Sequence, residues 1–269
     1  MMMMKSIFFY IQLWFALFKN SVQRLMEYRA NFLGRSFTEI CFISSQVIFS
    51  LSVSKGGLSV GGWSPMELLF FFGMLSFIDA IFMLFIHDNL HAFQDLMKNG
   101  SFDFYLLRPT SSIFLSLFRF PNAIALVNLS YAIGILAYSS MELALFPTFP
   151  HLALGIVYGC IGVALVFCLA ASVLCLGFFL TQSSALVWMF FEIYRLSFRP
   201  DDFYFSWLRR FLLSIFPAAF FISIPTKIIL GKELTPWMYI GPWVLLFIAV
   251  LLLKKIWAKG IAHYDGAMS

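Results

Sequence analysis

The sequence predicts an all-α protein that crosses a membrane several times. Of its 269 residues, 61% are hydrophobic, 35 are Phe and only 12% are charged. Soluble domains are about 45–50% apolar and about 25% charged, so a water-soluble protein of this length could not bury so much apolar surface. The apolar residues also form runs close to the ~20 residues that a spanning helix needs. These observations exclude a soluble enzyme, a nucleic-acid-binding domain and a disordered chain.

Six apolar runs are candidate membrane spans, and a seventh run is interrupted. The six spans cover residues 32–52, 66–86, 113–138, 152–180, 183–198 and 238–256. The interrupted run, 211–230, contains Pro217 and Pro225. Because the connecting segments are mostly short, residues 29–260 are expected to form one polytopic domain of six transmembrane helices.

The N-terminal segment, residues 1–28, is predicted to be an amphipathic helix that lies in the membrane interface. Its apolar stretch, 7–18, is too short to cross a bilayer. At 100° per residue, polar and apolar side chains separate onto opposite faces. The polar face carries Lys5, Gln12, Lys19, Gln23 and Glu27, and the apolar face carries Ile7, Ile11, Phe18, Val22 and Leu25.

The distribution of Lys and Arg predicts the topology. Positive charges concentrate in the N-terminal segment, in the 88–112 loop and after the last span, which places all three in the cytoplasm. Residues 199–232 are an exception, because they carry several Lys and Arg on the outer side. Either 183–198 crosses and 203–230 is an outer re-entrant hairpin, or 183–198 lies on the inner surface and 211–230 crosses. The charge distribution favours the second arrangement, and the two prolines favour the first.

Two local patterns concern helix starts and helix packing. Ser64, Pro65 and Glu67 predict a capping box with Pro in the first turn of the second span. Gly155 and Gly159 form a Gly-x-x-x-Gly pattern that lets another helix approach closely. That helix belongs either to the same chain or to a second copy across a dimer interface.

Charged residues within or beside the spans are candidates for a polar transport path, because charges inside a membrane are costly and normally face the bundle interior. They are Arg35, Glu39, Asp79, Arg119, Glu192 and Arg195. The spacings predict one ion pair between Arg35 and Glu39 and another between Glu192 and Arg195. The arginines have a simpler explanation, since their long side chains also reach the membrane interface.

Signatures of enzymatic and metal sites are weak. The sequence contains neither the P-loop pattern G-x-x-x-x-G-K-[ST] nor the zinc pattern H-E-x-x-H. His87 and His91 share a helix face near Asp88 and Asp95, a spacing that is able to hold a metal. Polar residues are expected at the end of a span in any case, so we interpret these four as solvated side chains and expect no metal.

The 88–112 loop is the most patterned polar segment of the chain. The spacing predicts a short helix over 91–97, which ends at Asn99-Gly100. Arg108-Pro109 then leads into the third span. A short cytoplasmic helix between two spans is what a membrane subunit needs to bind a soluble partner.

Three motifs resemble those of one branch of the ABC type 2 permease family. The loop resembles the signature G-x-x-D-x-x-L-L-R-P, through Gly100-Ser101-Phe102-Asp103 and Leu106-Leu107-Arg108-Pro109. The family's segment R-P…Y-P-x-W-L-R…P…P is matched by Arg199-Pro200, Tyr204, Trp207-Leu208-Arg209, Pro217 and Pro225, with Phe205 where the family often has Pro. Its ending W-x-x-G-[LI]-x-x-Y-x-[SG]-A is matched by Trp257, Gly260-Ile261, Tyr264 and Gly266-Ala267.

The resemblance implies the membrane subunit of an ATP-driven exporter in a bacterial inner membrane. The subunit would dimerise with itself or with a related permease, and it would bind separate ATP-binding cassette ATPase subunits. These partners would bind ATP and Mg, so no cofactor is expected in this chain.

The resemblance also assigns roles to individual segments. The docking elements would be the N-terminal helix and the 88–112 loop, with His91, Asp95, Gly100, Asp103, Leu107, Arg108 and Pro109. Residues 203–230 would form the outer re-entrant hairpin between spans five and six, with Tyr204, Trp207, Pro217 and Pro225. This assignment favours the first of the two arrangements. Residues 261–269 would be a cytoplasmic tail.

The Phe-rich, sparsely charged spans favour an amphiphilic, drug-like or lipid-like substrate, with Glu39, Asp79 or Glu192 as the counter-charge of a cation. Two other classes were weighed against this one. A gradient-driven secondary transporter would show clustered carboxylates and an internal repeat, which the sequence does not display. A membrane-embedded transferase would need a His, Asp and Arg cluster at one interface, and only the four residues between 87 and 95 come close.

Overall fold

The chain folds into a bundle of long helices with shorter helices at both ends. The computed structural model describes residues 2–55, 59, 61–143, 149–180 and 184–264. In this part of the chain the first six α-helices are α1 (Met2–Glu27), α2 (Arg29–Lys55), α3 (Pro65–Phe82), α4 (Asp88–Lys98), α5 (Asp103–Leu106) and α6 (Ser112–Phe118). The remaining six are α7 (Ala125–Glu142), α8 (Phe149–Cys175), α9 (Ser184–Tyr194), α10 (Ser206–Leu212), α11 (Ser223–Ile229) and α12 (Pro236–His263).

Three helical stretches in the described residues are long and apolar enough to cross a membrane. They are Pro65–Lys98, Pro150–Phe178 and Pro236–His263. The first contains α3 and α4, the second combines α8 with the 3₁₀ turn Leu176–Phe178, and the third is α12. α3 packs along α7, α8 packs along α12, and α2 lies against α3. The protein is therefore an all-helical, multi-pass membrane protein, with α2, α7 and α9 in the positions of the other three predicted spans.

The N-terminal helix α1 forms as predicted, but it has three faces rather than two. One face packs on the bundle through Tyr10, Trp14 and Ser21. A neighbouring apolar face is exposed and carries Phe8, Ile11, Phe15 and Met26. The third face is polar and exposed, and it carries Gln12, Lys19 and Gln23. A helix in the membrane interface needs such a free apolar face beside a polar one.

The start of α3 has the predicted cap. The Ser64 side chain accepts a hydrogen bond from the Glu67 backbone N–H, and the Glu67 side chain accepts one from the Ser64 N–H at 2.7 Å. Pro65 occupies the first turn. The two side chains satisfy backbone N–H groups that a helix start leaves without partners.

The helix predicted over 91–97 is not separate from the second span. α3 continues through one π-helical turn, Met83–His87, directly into α4. Gly100 follows with φ of +63°, a left-handed conformation that ends the helix and that glycine adopts without strain. α3, the π-helical turn and α4 therefore form one continuous helical stretch.

The third predicted span, 113–138, is wrong as a single helix. α6 ends at Phe118, and α7 starts only at Ala125. Pro121 lacks a backbone N–H and disfavours helix in the residue before it. The buried side chain of Asn89, on α4, replaces the lost helical bonds: its amide donates to the Phe120 carbonyl at 3.2 Å, and its Oδ1 accepts from the Phe120 N–H at 2.9 Å.

The chain after α9 turns back along α8 instead of crossing in one helix. α9 ends in a 3₁₀ turn, Arg195–Phe198, and α10 and α11 have only seven residues each. The backbone of Phe220 and Phe221 lies against Gly162, and the side chain of Ile229 lies against Gly155. These two glycines are two helical turns apart on α8, so the 218–229 segment runs along that helix.

The two predicted packing glycines therefore behave differently. Gly155 packs within the chain, whereas nothing described lies within 4 Å of a Cβ placed on Gly159. The second close contact on α8 is made by Gly162, seven residues after Gly155. The Gly-x-x-x-Gly pattern therefore identified one of the two glycines at which the 218–229 segment packs closely on α8.

Candidate functional site

The 88–112 loop and the C-terminal end of the chain meet in one aromatic cluster. We define this cluster as Phe93, Phe102, Phe178, Trp257 and Tyr264. The ring of Phe102, which is fully buried, lies 5.2 Å from the rings of Phe178 and Tyr264. The Phe178 ring lies 5.4 Å from Phe93 and 5.5 Å from Trp257. Edge-to-face contacts of this kind stabilise a packed arrangement beyond the area they bury.

Gly260 completes the packing at the end of α12. A Cβ at this position would overlap the Phe178 ring, so the tail reaches the cluster only because residue 260 is glycine. Burial, followed by the nearby Asp103 carboxylate, raises the pKa of Tyr264. The loop motif and the tail motif are thus joined into one structural unit. The last residues of the tail motif, Gly266-Ala267, lie outside the described residues.

An exposed tip projects from this cluster. We call residues 104–109 the docking tip, after the role that the sequence analysis predicts for this loop. Phe104 and Leu107 are 65% and 81% exposed, and Arg108 and Pro109 are also exposed. Tyr105 points inward and is buried beneath Arg119, whose guanidinium lies 4.9 Å from the ring centroid. The docking tip is therefore a mainly apolar protrusion with one cation on a packed base.

The base of the docking tip is also fixed to α1. The backbone N–H of Ser111 donates to the Tyr10 hydroxyl at 3.0 Å, and the Ser21 hydroxyl donates to the Pro121 carbonyl at 2.6 Å. The Trp14 ring lies 5.0 Å from that of Phe85, in the π-helical turn. The N-terminal helix, the docking tip and the end of α3 are therefore held together by direct contacts.

At the other end of the bundle, four charged side chains form a buried network. The Asp201 carboxylate, 1% exposed, accepts from Arg209 Nε at 2.8 Å and lies 2.6 Å from Lys227 Nζ. Asp202 bonds the same two cations at 2.9 Å and 2.7 Å. The network joins the segment after α9 to α10 and α11, and its two negative charges balance its two positive charges.

A further ion pair, between Lys232 and Glu67, lies beside this network at the start of α3. Lys232 Nζ lies 2.9 Å from Glu67 and 4.6 Å from the centroid of the Trp63 ring. Trp63 donates from Nε1 to Asp202 at 3.0 Å. Burial of Asp202 raises its pKa, but Lys227, Trp63 and Arg209 outweigh burial, so the pKa of Asp202 lies below its ordinary value.

A family comparison decides the class of the protein. A model described as ABC-2 family transporter protein matches residues 38–268, which is most of the chain. The chain belongs to the ABC-2 transporter family. No curated protein and no solved structure shows measurable similarity to it. An ABC-2 protein is the membrane component of a transporter, so the secondary-transporter and transferase alternatives lose their basis.

The residues predicted to dock the ATPase occupy two different environments in this ABC-2 protein. Gly100, Asp103, Leu107, Arg108 and Pro109 lie together at or beside the docking tip. His91 and Asp95 lie on α4. The His91 ring stacks on Phe191 of α9 at 5.6 Å, and Asp95 is exposed. His91 thus contacts the bundle itself.

His87 and His91 have a spacing that is able to hold a metal, although the sequence analysis interprets them as solvated side chains. His87 bonds its neighbour Asp88 at 2.9 Å. Within the described residues, no three His, Cys, Asp or Glu side chains are close enough to hold a metal ion.

The candidate path residues of the ABC-2 protein also lie in different environments. Glu39 and Asp79 lie near enough for their charges to interact, and Asp79 accepts a hydrogen bond from Tyr194 at 2.9 Å. Glu192 and Arg195 form the predicted ion pair at 2.9 Å, with both side chains about 60% exposed.

The other two arginines lie elsewhere. The predicted pair between Arg35 and Glu39 is not among the ion pairs of the described residues, because Glu39 faces Asn128 of α7 instead. Arg119 stacks on Tyr105 at the base of the docking tip.

The hairpin residues of the ABC-2 protein support the turn after α9. Tyr204 donates from its hydroxyl to the Leu196 carbonyl at 2.8 Å, and Trp207 is exposed. Pro217 precedes a 3₁₀ turn, and Pro225 lies in the first turn of α11, where no intrahelical N–H is needed. Both prolines lie at the starts of short helical turns and not inside one continuous helix.

The buried charge network around Asp201 and Lys227 is a structural feature that the sequence analysis missed. Lys227 and Lys232 were counted only as positive charges that determine topology, and Arg209 was counted in this way and as part of the family motif. The signal that could have located the network is the presence of Asp201, Asp202 and Glu233 in the same 199–233 segment. Acidic residues beside an unexplained excess of basic ones indicate internal pairing.

Proposed function

We propose that this ABC-2 protein is the permease subunit of an ATP-driven exporter that moves an amphiphilic substrate out of the cytoplasm or the inner leaflet. It acts as a homodimer or with a related permease, and separate ATPase subunits bind the docking tip and hydrolyse ATP. The observation that supports this proposal is the exposed tip at 104–109, fixed to α1, α4 and α12 at once. A partner that pulls on the tip pulls on the transmembrane bundle.

The transmission route follows from the continuous helix. ATP binding closes the ATPase pair and displaces the docking tip. α4 carries this displacement through the π-helical turn 83–87 into α3, against which α2 and α7 pack. The bundle then alternates between inward-open and outward-open states. ATP drives this change because the partner subunits have different affinities for ATP in the two states.

The topology of the proposed permease has six crossings with both termini and the docking tip in the cytoplasm. The basic residues of 199–232 are a weaker objection to this topology once their ion pairs are considered. Arg209, Lys227 and Lys232 each pair with an acidic side chain within the fold, while Arg199 and Arg210 still add positive charge to the segment. Residues 203–230 then form an outer re-entrant hairpin, supported by its course along α8.

Docking is tested with a charge placed on the tip. Leu107→Glu puts a carboxylate on the most exposed apolar residue of the tip, and we expect at least a tenfold loss of the ATPase subunit that co-purifies in mild detergent. Met141→Glu is the matched control, since Met141 is 79% exposed and lies near the C-terminal end of α7, opposite the end that adjoins the docking tip. Equal retention of the ATPase subunit by both variants would refute docking at this tip.

A further inference from the structure

An open groove runs between α2 and α7. It has a volume of about 570 Å³ and is lined by Ile43, Ser44, Val47 and Ile48 of α2 and by Ser130, Tyr131, Gly134 and Ile135 of α7. Its walls are mainly apolar, with two serine residues among them. A cavity of this size is in the range that binds one drug-sized molecule.

One end of the groove is acidic. We define this acidic end as Glu39, Asp79 and Asn128. Glu39 lies one helical turn before Ile43 on α2, and Asn128 lies one turn before Tyr131 on α7, so both adjoin the groove at the same end. Glu39 interacts with the Asn128 side chain and with the charge of Asp79. No Lys or Arg forms an ion pair with either carboxylate in the described residues, and the nearby cationic group is His87, which bonds Asp88.

Buried oxygens without a hydrogen-bond donor lie on the three helices that carry the acidic end, α2, α3 and α7. Asn128 is 4% exposed, and its Oδ1 has no hydrogen-bond partner in the structure. Gln46 Oε1 and Ser76 Oγ are also buried without partners. Gln46 lies seven residues after Glu39, on the same face of α2. Ser76 lies three residues before Asp79, on the same face of α3. Buried polar atoms normally have partners, so the unpartnered Asn128 Oδ1 beside Glu39 leaves room for a donor group of a ligand.

The chemistry of the missing ligand follows from what surrounds it. The acidic end offers carboxylate and amide oxygens, which accept hydrogen bonds and attract positive charge. The groove offers apolar contact and one aromatic ring, which also favours cations. We propose that the groove binds an organic cation with an apolar body, whose charge lies against Glu39 and Asp79. This proposal rests on the export function above and names the class of its substrate.

Binding is tested without ATP or the ATPase. The purified full chain in nanodiscs is titrated with radiolabelled tetraphenylphosphonium, and with tetraphenylborate as an anion of the same shape. We expect saturable binding of the cation, with at least tenfold weaker binding of the anion. Glu39→Gln should weaken cation binding at least tenfold, whereas Glu39→Asp, which keeps the charge, should largely restore it.

Glu142→Gln is the matched control, because Glu142 is an exposed carboxylate at the end of α7, two helical turns beyond the groove residues of that helix. It should leave binding unchanged. Equal binding of the two ions, or full binding by a monodisperse Glu39→Gln variant, would overturn the site. A chain that binds the cation but retains no ATPase subunit would overturn the export proposal and leave the site standing.

Discussion

Gly162 of α8 lies directly against the backbone of the 218–229 segment, so substituting it tests how closely this segment packs on α8. In Gly162→Ala the new Cβ would lie 2.6 Å from the Phe220 carbonyl oxygen and 2.7 Å from that of Phe221. Both atoms belong to the backbone, so neither is able to rotate away. Ordinary contact begins at 3.4 Å, so the segment would have to move away by roughly 0.8 Å.

The magnitude follows from two opposing contributions. Overpacking of this kind costs about 1–3 kcal/mol, while Gly→Ala within a helix stabilises by about 0.5–1 kcal/mol. The middles of the two ranges leave a net loss of about 1 kcal/mol for Gly162→Ala. For a chain of this size, that lowers the apparent midpoint of thermal unfolding by roughly 2–4 °C.

Gly159→Ala is the matched control on the same helix. Nothing described lies within 4 Å of its new Cβ, so only the gain in helix propensity remains. Its midpoint should stay the same or rise. Fluorescence-detected size-exclusion after heating, in one detergent, gives both values. A Gly162→Ala protein as stable as Gly159→Ala would refute the close approach of the 218–229 segment to α8.

Three further predictions follow from the buried contacts. Lys227→Met leaves Asp201 short of a partner and should cost about 3–5 kcal/mol, against about 1 kcal/mol or less for the more exposed Lys232→Met, by the same thermal assay. The lowered pKa of Asp202 means that its stabilising contribution is complete above its ordinary pKa of 3.8 and is lost as the pH falls through the lower folded value. Asp202→Asn should therefore flatten the change in midpoint between about pH 5 and about pH 3, and an unchanged slope would contradict this. Asn89→Leu leaves the Phe120 N–H and carbonyl without partners and should cost about 1–3 kcal/mol, with faster amide exchange confined to residues 119–124.

Features that depend on neighbouring residues were predictable from the sequence. The cap at Ser64 and Glu67, the N-terminal helix and the pair of Glu192 with Arg195 all depend on spacings of a few residues. Their energetics are local, and the chain order alone specifies them. The loop and tail motifs were located by resemblance, and the sequence did not show that they pack on each other.

Features that depend on distant residues were not predictable. The break after α6 depends on Asn89, which lies 31 positions before Phe120 and satisfies its backbone. The network around Asp201 depends on Lys227 returning to it through a turn of the chain. Hydropathy treats each window separately, so it assigned a continuous span to residues 113–138. Counting Lys and Arg likewise ignores their partners, so it treated the basic residues of the network as a topology signal. Tertiary contacts decide both.

The central claim is that this ABC-2 protein works with ATPase subunits bound to its docking tip. The most direct measurement is ATP hydrolysis by the tagged chain, purified in mild detergent from the cells that naturally express it. We predict vanadate-sensitive hydrolysis in the eluate of the wild type and of Met141→Glu, and its loss from Leu107→Glu. A wild-type chain that elutes alone and hydrolyses no ATP would contradict the account.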